Sequence, residues 1–126
     1  MLIVDDEVNV TRTLQMIFER EGYDVTPAYS CAEALKLLRD RRHDVIVTDL
    51  NMERDDIGLE VARAAMKVRP RPVIVICTGY ANVDNAKQAL DLRVDYMATK
   101  PVDIDEMKGA LALLLHRRAL AQRTVG

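Results

Sequence analysis

Several polar side chains stand just after short apolar runs, and their types are those of phosphoryl chemistry. Val45-Ile46-Val47-Thr48 runs into Asp49, Leu2-Ile3-Val4 into Asp5-Asp6, and Val73-Ile74-Val75-Ile76-Cys77 into Thr78, while Lys100 closes a fourth run. Apolar runs of this length read as buried strands, and the C-terminal ends of strands are where open α/β sheets keep their chemistry. Three carboxylates brought together repel: two unit charges about 4 Å apart cost on the order of 4 kcal/mol at an effective dielectric of 20. Either one acid holds a proton or a cation compensates. The donors are all oxygen, which suits a hard dication over a soft metal. Mg²⁺ fits best, because it keeps several waters and binds beside phosphate, with Mn²⁺ as its substitute. Beside such a cation Asp49 is placed to be a nucleophile toward phosphorus. Lys100 supplies a point charge for a phosphate oxygen and Thr78 a hydroxyl donor.

The elements that position these groups follow from the pattern of the chain. Leu2 to Val4 is strand one. Helix one spans about Val8 to Glu21, with Val10, Leu14, Ile17 and Phe18 as its apolar stripe and Gly22 as its stop. Tyr23 to Thr26 reads as a weak second strand, and Pro27 suits a sheet edge. Ser30 and Glu33 form a capping box for helix two, which turns Ala34, Leu35 and Leu38 inward. The basic run 39–42 before His43 closes that helix and complements its dipole. Strand three is Asp44 to Thr48. Helix three runs from about Gly58 to Val68, with Leu59, Ala62, Ala65 and Met66 facing in. Strand four is Val73 to Cys77, helix four about Asn82 to Leu92, and strand five Val94 to Ala98. Asp103 and Glu106 cap helix five, whose stripe is Ile104, Met107, Leu111 and Leu114.

Strands that alternate with helices across short loops predict a parallel sheet covered on both faces. Right-handed crossovers leave few windings, of which 2-1-3-4-5 is the common five-stranded order, with its crevice between strands one and three. On that order every strand end from one across to five brings a polar group to one edge.

The totals agree with one soluble domain. The chain has 126 residues, 49% of them hydrophobic and 30% charged, enough for one core. Its formal charge of −2 gives no electrostatic case for direct nucleic-acid binding or for an anionic membrane. No apolar run nears the roughly 20 residues of a membrane helix, and no signal peptide is expected, which points to the cytoplasm. Cys31 and Cys77 lack metal-ligand spacing and read as buried thiols in a reducing compartment. His43 and His116 have no carboxylate or serine partner at informative spacing and read as surface residues.

Asp5-Asp6, Asp49, Thr78-Gly79-Tyr80 and Lys100-Pro101, in this order and at strand ends, resemble the signature of response-regulator receiver domains. The resemblance covers residues 1–117; residues 118–126 read as a C-terminal tail, the start of a linker. It implies the doubly wound, flavodoxin-like three-layer α/β/α fold with strand order 2-1-3-4-5. It implies that Asp49 accepts a phosphoryl group from a sensor histidine kinase or a phosphotransfer protein. It implies Mg²⁺ held directly by Asp6, Asp49 and the Asn51 backbone carbonyl, with Asp5 acting through water. Thr78 and Lys100 would hold the transferred phosphoryl group. The chain would be a switch of helix four, strand five and helix five rather than an enzyme, with self-phosphorylation and self-dephosphorylation as its only chemistry.

Four features depart from the family pattern. Glu53 replaces the proline usual four residues after the acceptor, and either tunes the metal site or is a solvated loop acid. Gly58 comes one residue late, so the loop after strand three is longer. Met97 stands at the aromatic switch position, which predicts looser coupling, while Tyr96 should face the other side of the sheet. Strand one begins almost at the first residue. Tyr80, two residues past Thr78, either shields the acyl phosphate or is a plain surface tyrosine. Residues 110–115 of helix five are apolar nearly all round, which suits a homodimer partner or an effector domain, or else a merely Ala/Leu-rich exposed helix.

Three other functions compete. A haloacid-dehalogenase-type phosphohydrolase needs a second Asp as general acid where this chain has Asn51, and it needs a cap domain. A receiver-like interaction module that is never phosphorylated has no need of Asp6, Asp49, Thr78 and Lys100 together. Flavin binding of the flavodoxin type meets acids where a phosphate loop belongs.

Overall fold

The computed structural model describes residues 1–79 and 83–125; Tyr80, Ala81, Asn82 and Gly126 lie outside the described residues. The elements are β1 (Leu2–Val4), α1 (Val8–Arg20), β2 (Thr26–Ala28), α2 (Cys31–Asp40), β3 (Val45–Asp49), α3 (Gly58–Met66), β4 (Val73–Thr78), α4 (Val83–Asp91), β5 (Tyr96–Thr99) and α5 (Ile104–Val125). The strands form one parallel sheet in the order β2-β1-β3-β4-β5.

The three central strands are buried from end to end. Alternate residues feed two apolar layers, as the two-residue period of a strand requires. Ile46, Ile74 and Ile76 point toward α2 and α3, where Ala34, Leu38, Leu59, Ala62 and Ala65 meet them. Val45, Val47, Val73 and Val75 point the other way, onto Leu14 and Phe18 of α1 and Met107 and Leu111 of α5. The β-branched run of β4 can serve both faces because both are covered.

Helix boundaries follow local chemistry. Glu21, Gly22 and Tyr23 send their N–H groups back to the last turn of α1, and Gly22 takes the left-handed conformation (φ +98°) that this stop requires. Ser30 caps α2 through the N–H of Glu33 at 3.2 Å, and Glu33 reaches back toward the N–H of Tyr29.

The structure shifts several expected boundaries. The second strand lies at Thr26–Ala28, later than Tyr23 to Thr26. The N–H of Tyr23 is used by the stop of α1, and only Thr26 to Ala28 lie opposite the three residues of β1. Pro27 sits on that edge strand, as expected. Strand five starts at Tyr96, because the N–H of Val94 still closes the C-terminal turn of α4. Helix three ends at Met66, and Lys67 and Val68 continue it only as tighter turns. α5 runs on to Val125, through residues read as tail. His43 is half-buried rather than at the surface, with Nε2 3.3 Å from the carbonyl of Leu37. Cys31 and Cys77 are both free and buried, and burial pushes the Cys77 thiol up to about 12.

Candidate phosphoryl and metal site

The parallel register brings the strand ends to one edge. Val4 pairs with Thr48, Asp49 with Cys77, and Thr78 with Thr99. Asp5, Asp49, Thr78 and Lys100 therefore converge just beyond the sheet without any element bending to carry them.

Each side chain is held from below. The N–H of Asp5 donates to Ala28 of the edge strand, and its Oδ1 accepts the N–H of Glu7 at 2.9 Å, which fixes the turn from β1 into α1. Thr11, fully buried on the first turn of α1, donates to the carbonyls of Asp5 and Glu7, both at 3.1 Å. The N–H of Leu50 donates to Cys77, and the N–H of Lys100 donates to Thr78. Beneath Asp49 lies Gly58: a Cβ there would stand 2.0 Å from the Asp49 carbonyl oxygen and 2.7 Å from the Leu50 Cα. Only a glycine lets α3 start this close to the end of β3.

Asp5 and Asp49 are buried, Asp6 is exposed, and one carboxylate oxygen of each lies within 4.8 Å of those of the other two. Lys100 Nζ is 3.2 Å from Asp5 Oδ2 and 3.2 Å from Asp49 Oδ2. One ammonium, paired with two carboxylates, thus stands against a cluster of three, so the corner is undercompensated. Burial and then the charge of Asp5 push the Asp49 carboxyl above its ordinary value, against Lys100 and the N–H of Asn51, which pull it down. Burial works to lower Lys100, but Asp49 and Asp5 together hold it above its ordinary value. An all-oxygen cluster short of positive charge has the donor set of a hard dication such as Mg²⁺.

The other candidates lie as follows. Thr78 is buried at the end of β4, one residue past the partner of Asp49. Asn51 follows β3; its side-chain oxygen accepts the N–H of Asp56 at 2.7 Å and so closes the longer loop on itself. Within that loop Asp56 takes a left-handed conformation (φ +61°), which an aspartate tolerates better than most residues. Glu53 points to α2: its carboxylate accepts the N–H of Cys31, at 3.2 and 3.4 Å from its two oxygens. Met97 packs into the layer with α2 and α3, while Tyr96 packs on the opposite layer and donates to Glu106 at 2.6 Å. That bond, with burial, pushes the Tyr96 phenol up to about 12. Tyr80 lies outside the described residues.

Sequence reasoning missed Thr11, which it passed over between two stripe positions; a threonine one turn into a helix that follows an Asp-Asp pair is the signal available. It also missed Asp95, whose carboxylate accepts the N–H of Ile74 at 2.8 Å and pairs with Arg71 and Arg118. No short-range spacing marks that partnership.

Among known families, the model of the response regulator receiver domain matches residues 1–112. The transcriptional regulatory protein GlrR of Escherichia coli is 32% identical over 121 residues, which are 96% of this chain and 27% of that protein. The chain therefore spans about a quarter of the length of this relative. A CheY-like receiver domain from Methanospirillum hungatei superposes with a TM-score of 0.89 at 27% identity, covering 95% of both chains. The response regulator TrrA of Thermotoga maritima, solved in complex with Mg²⁺-BeF, superposes with a TM-score of 0.78 at 29% identity, covering 90% of this chain and 96% of that one.

Proposed function

The chain belongs to the response regulator receiver family, and on that premise we propose that Asp49 is its phosphoacceptor, loaded from the phosphohistidine of a sensor kinase or phosphotransfer protein. The observation that carries this reading is the single ammonium of Lys100, 3.2 Å from both Asp5 and Asp49 at one end of the sheet. An Asp49 oxygen attacks phosphorus, a P–O bond forms as the P–N bond breaks, and the imidazole leaves. Lys100 is placed to meet a phosphoryl oxygen as Asp49 gives up its own charge to the new acyl phosphate, and Thr78 offers a hydroxyl to another. Asp5, Asp6, Asp49 and the Asn51 carbonyl would hold Mg²⁺, or Mn²⁺ in its place, which when bound neutralises charge on the transferring group. Hydrolysis of the acyl phosphate by water would return the switch, and Tyr80 is proposed to slow it.

The downstream readings rest on the same premise. Phosphorylation would shift Thr78 and Met97 and so alter the surface of α4, β5 and α5. Leu113 and Leu120 stand half-exposed on α5, where a second copy or an effector domain would sit. Nucleic-acid binding, if any, would belong to other parts of a longer regulator. Among the described residues no helix is long and apolar enough to cross a membrane; a cytoplasmic setting is inferred from the proposed partners.

Intact mass after incubation with acetyl phosphate and Mg²⁺ tests the central claim. The expected result is a labile adduct of one phosphoryl group, lost in Asp49→Ala. Turnover of a phosphomonoester without a stable adduct would replace this reading with a phosphohydrolase, and an unmodified chain would leave a binding module.

A further inference from the structure

The carboxylate of Glu53 does not face the acidic corner. It lies on the N-terminus of α2, where the N–H of Cys31 is 3.2 Å from one oxygen and 3.4 Å from the other. Cys31 opens that helix, so its N–H has no partner within it. Ser30 already occupies the N–H of Glu33. Glu53 thus takes a donor the helix cannot satisfy, and its charge meets the positive end of the helix dipole.

Glu53 belongs to the loop that leaves the site. Asn51, two residues before it, is also only two residues past Asp49, and its side-chain oxygen accepts the N–H of Asp56 at 2.7 Å. Most other bonds of the connection from β3 to α3 are internal or go to the elements that flank it in the sheet: Asn51 to Asp56, Met52 to Arg54, Gly58 to Leu50, Arg54 to Glu60 of α3, and Leu50 to Cys77 of β4. The Glu53 bond leaves the connection and ties it to a helix 22 residues away in sequence. The loop is therefore anchored on both sides of Asn51, on β4 through Leu50 and on α2 through Glu53.

We propose that Glu53 is a positioning residue of the dication site, a strap that holds the Asn51 segment against α2 and couples cation binding to the start of that helix. The proposal rests on reading the acidic corner as a dication site. Coupling of this kind is reciprocal: whatever the strap contributes to holding the cation, the cation returns to the bond between Glu53 and Cys31.

The test is a titration of the 126-residue chain with MgCl₂, followed by amide NMR, with four variants. In the wild type the Cys31 amide should move with the same midpoint as the Asn51 amide. Glu53→Ala should raise that midpoint by roughly fivefold, the low end of coupling between linked sites, and the Cys31 amide should stop following. Glu53→Gln keeps an acceptor without the charge and should stay within about twofold of wild type, since one neutral hydrogen bond replaces a charged one. Cys31→Pro removes the donor without touching the loop, at a first helical position where proline is tolerated. It should raise the midpoint as Glu53→Ala does, and the double variant should be no weaker than either single one.

An unchanged Mg²⁺ midpoint at Asn51 in both Glu53→Ala and Cys31→Pro would overturn the strap while leaving the dication site intact. A wild-type spectrum that Mg²⁺ does not move at Asp5, Asp49 or Asn51 would overturn the dication reading and the strap with it.

Discussion

Lys100 Nζ stands 3.2 Å from Asp49 Oδ2, and it is shared: the same nitrogen is 3.2 Å from Asp5 Oδ2. Neither acid has a full counter-charge. The corner is held together by a lysine that must serve two carboxylates until further positive charge arrives.

Burial of Asp49, and then the charge of Asp5, outweigh Lys100 and set a pH dependence. The Asp49 carboxyl is raised from its ordinary 3.8 in the folded chain, so between that pH and its folded value the folded state binds the extra proton. Its stabilising contribution is complete below the ordinary value and is lost as pH rises through the folded one. In metal-free buffer Asp49→Asn should therefore be more stable than wild type at neutral pH, by about 1 kcal/mol. The two should converge in acid. Urea unfolding across the acid-to-neutral range with EDTA reads this, and a constant offset at every pH would contradict it.

Cation binding should reverse the order. At a Mg²⁺ concentration about a hundredfold above Kd, wild type gains roughly 2.7 kcal/mol by mass action. Asp49→Asn lacks one ligand and should gain far less, so wild type becomes the more stable. Thermal unfolding with Mg²⁺ and then with EDTA checks both directions.

Gly58→Ala places a methyl group against the backbone of Asp49 and Leu50, at 2.0 Å from the Asp49 carbonyl oxygen. No side-chain rotation relieves a clash with main chain, so β3 or α3 must move, at a cost of about 3 kcal/mol. A lower urea midpoint with an unchanged slope is expected, together with slower labelling by acetyl phosphate, because the displaced segment carries Asp49. A stable, fully active variant would show that the helix can back away freely.

At the other end of the sheet, Asp95 accepts the N–H of Ile74 and pairs with Arg71 and Arg118, joining β4, β5 and α5. Asp95→Ala should cost about 2 kcal/mol, as a buried N–H and two cations lose one charged acceptor. Amide exchange should quicken around Arg118 but not at the Asp49 edge. A uniform change over both ends would mean that α5 does not open on its own.

The amino-acid sequence by itself was enough for the sheet, its order and the convergence of Asp5, Asp49, Thr78 and Lys100. Those features depend on apolar runs, helix stripes and caps, which are local, and on a handed winding that leaves few alternatives. It also sufficed for the opposite facing of Tyr96 and Met97, since a strand alternates whatever it packs against.

Only the tertiary structure decided where Glu53 goes. A loop acid four residues past Asp49 reads, in one dimension, either as a tuner of a metal site or as a solvated acid; its partner is an N–H supplied by a helix two elements earlier. The same holds for Asp95 between two arginines, for Thr11 under the turn after β1, and for Gly58, whose small size matters because the main chain of Asp49 and Leu50 packs directly against it. Strand two shifted for a related reason: its ends depend on which residues lie opposite β1 and not on its own β-propensity. Contacts between residues distant along the chain are set by packing, and spacing does not encode them.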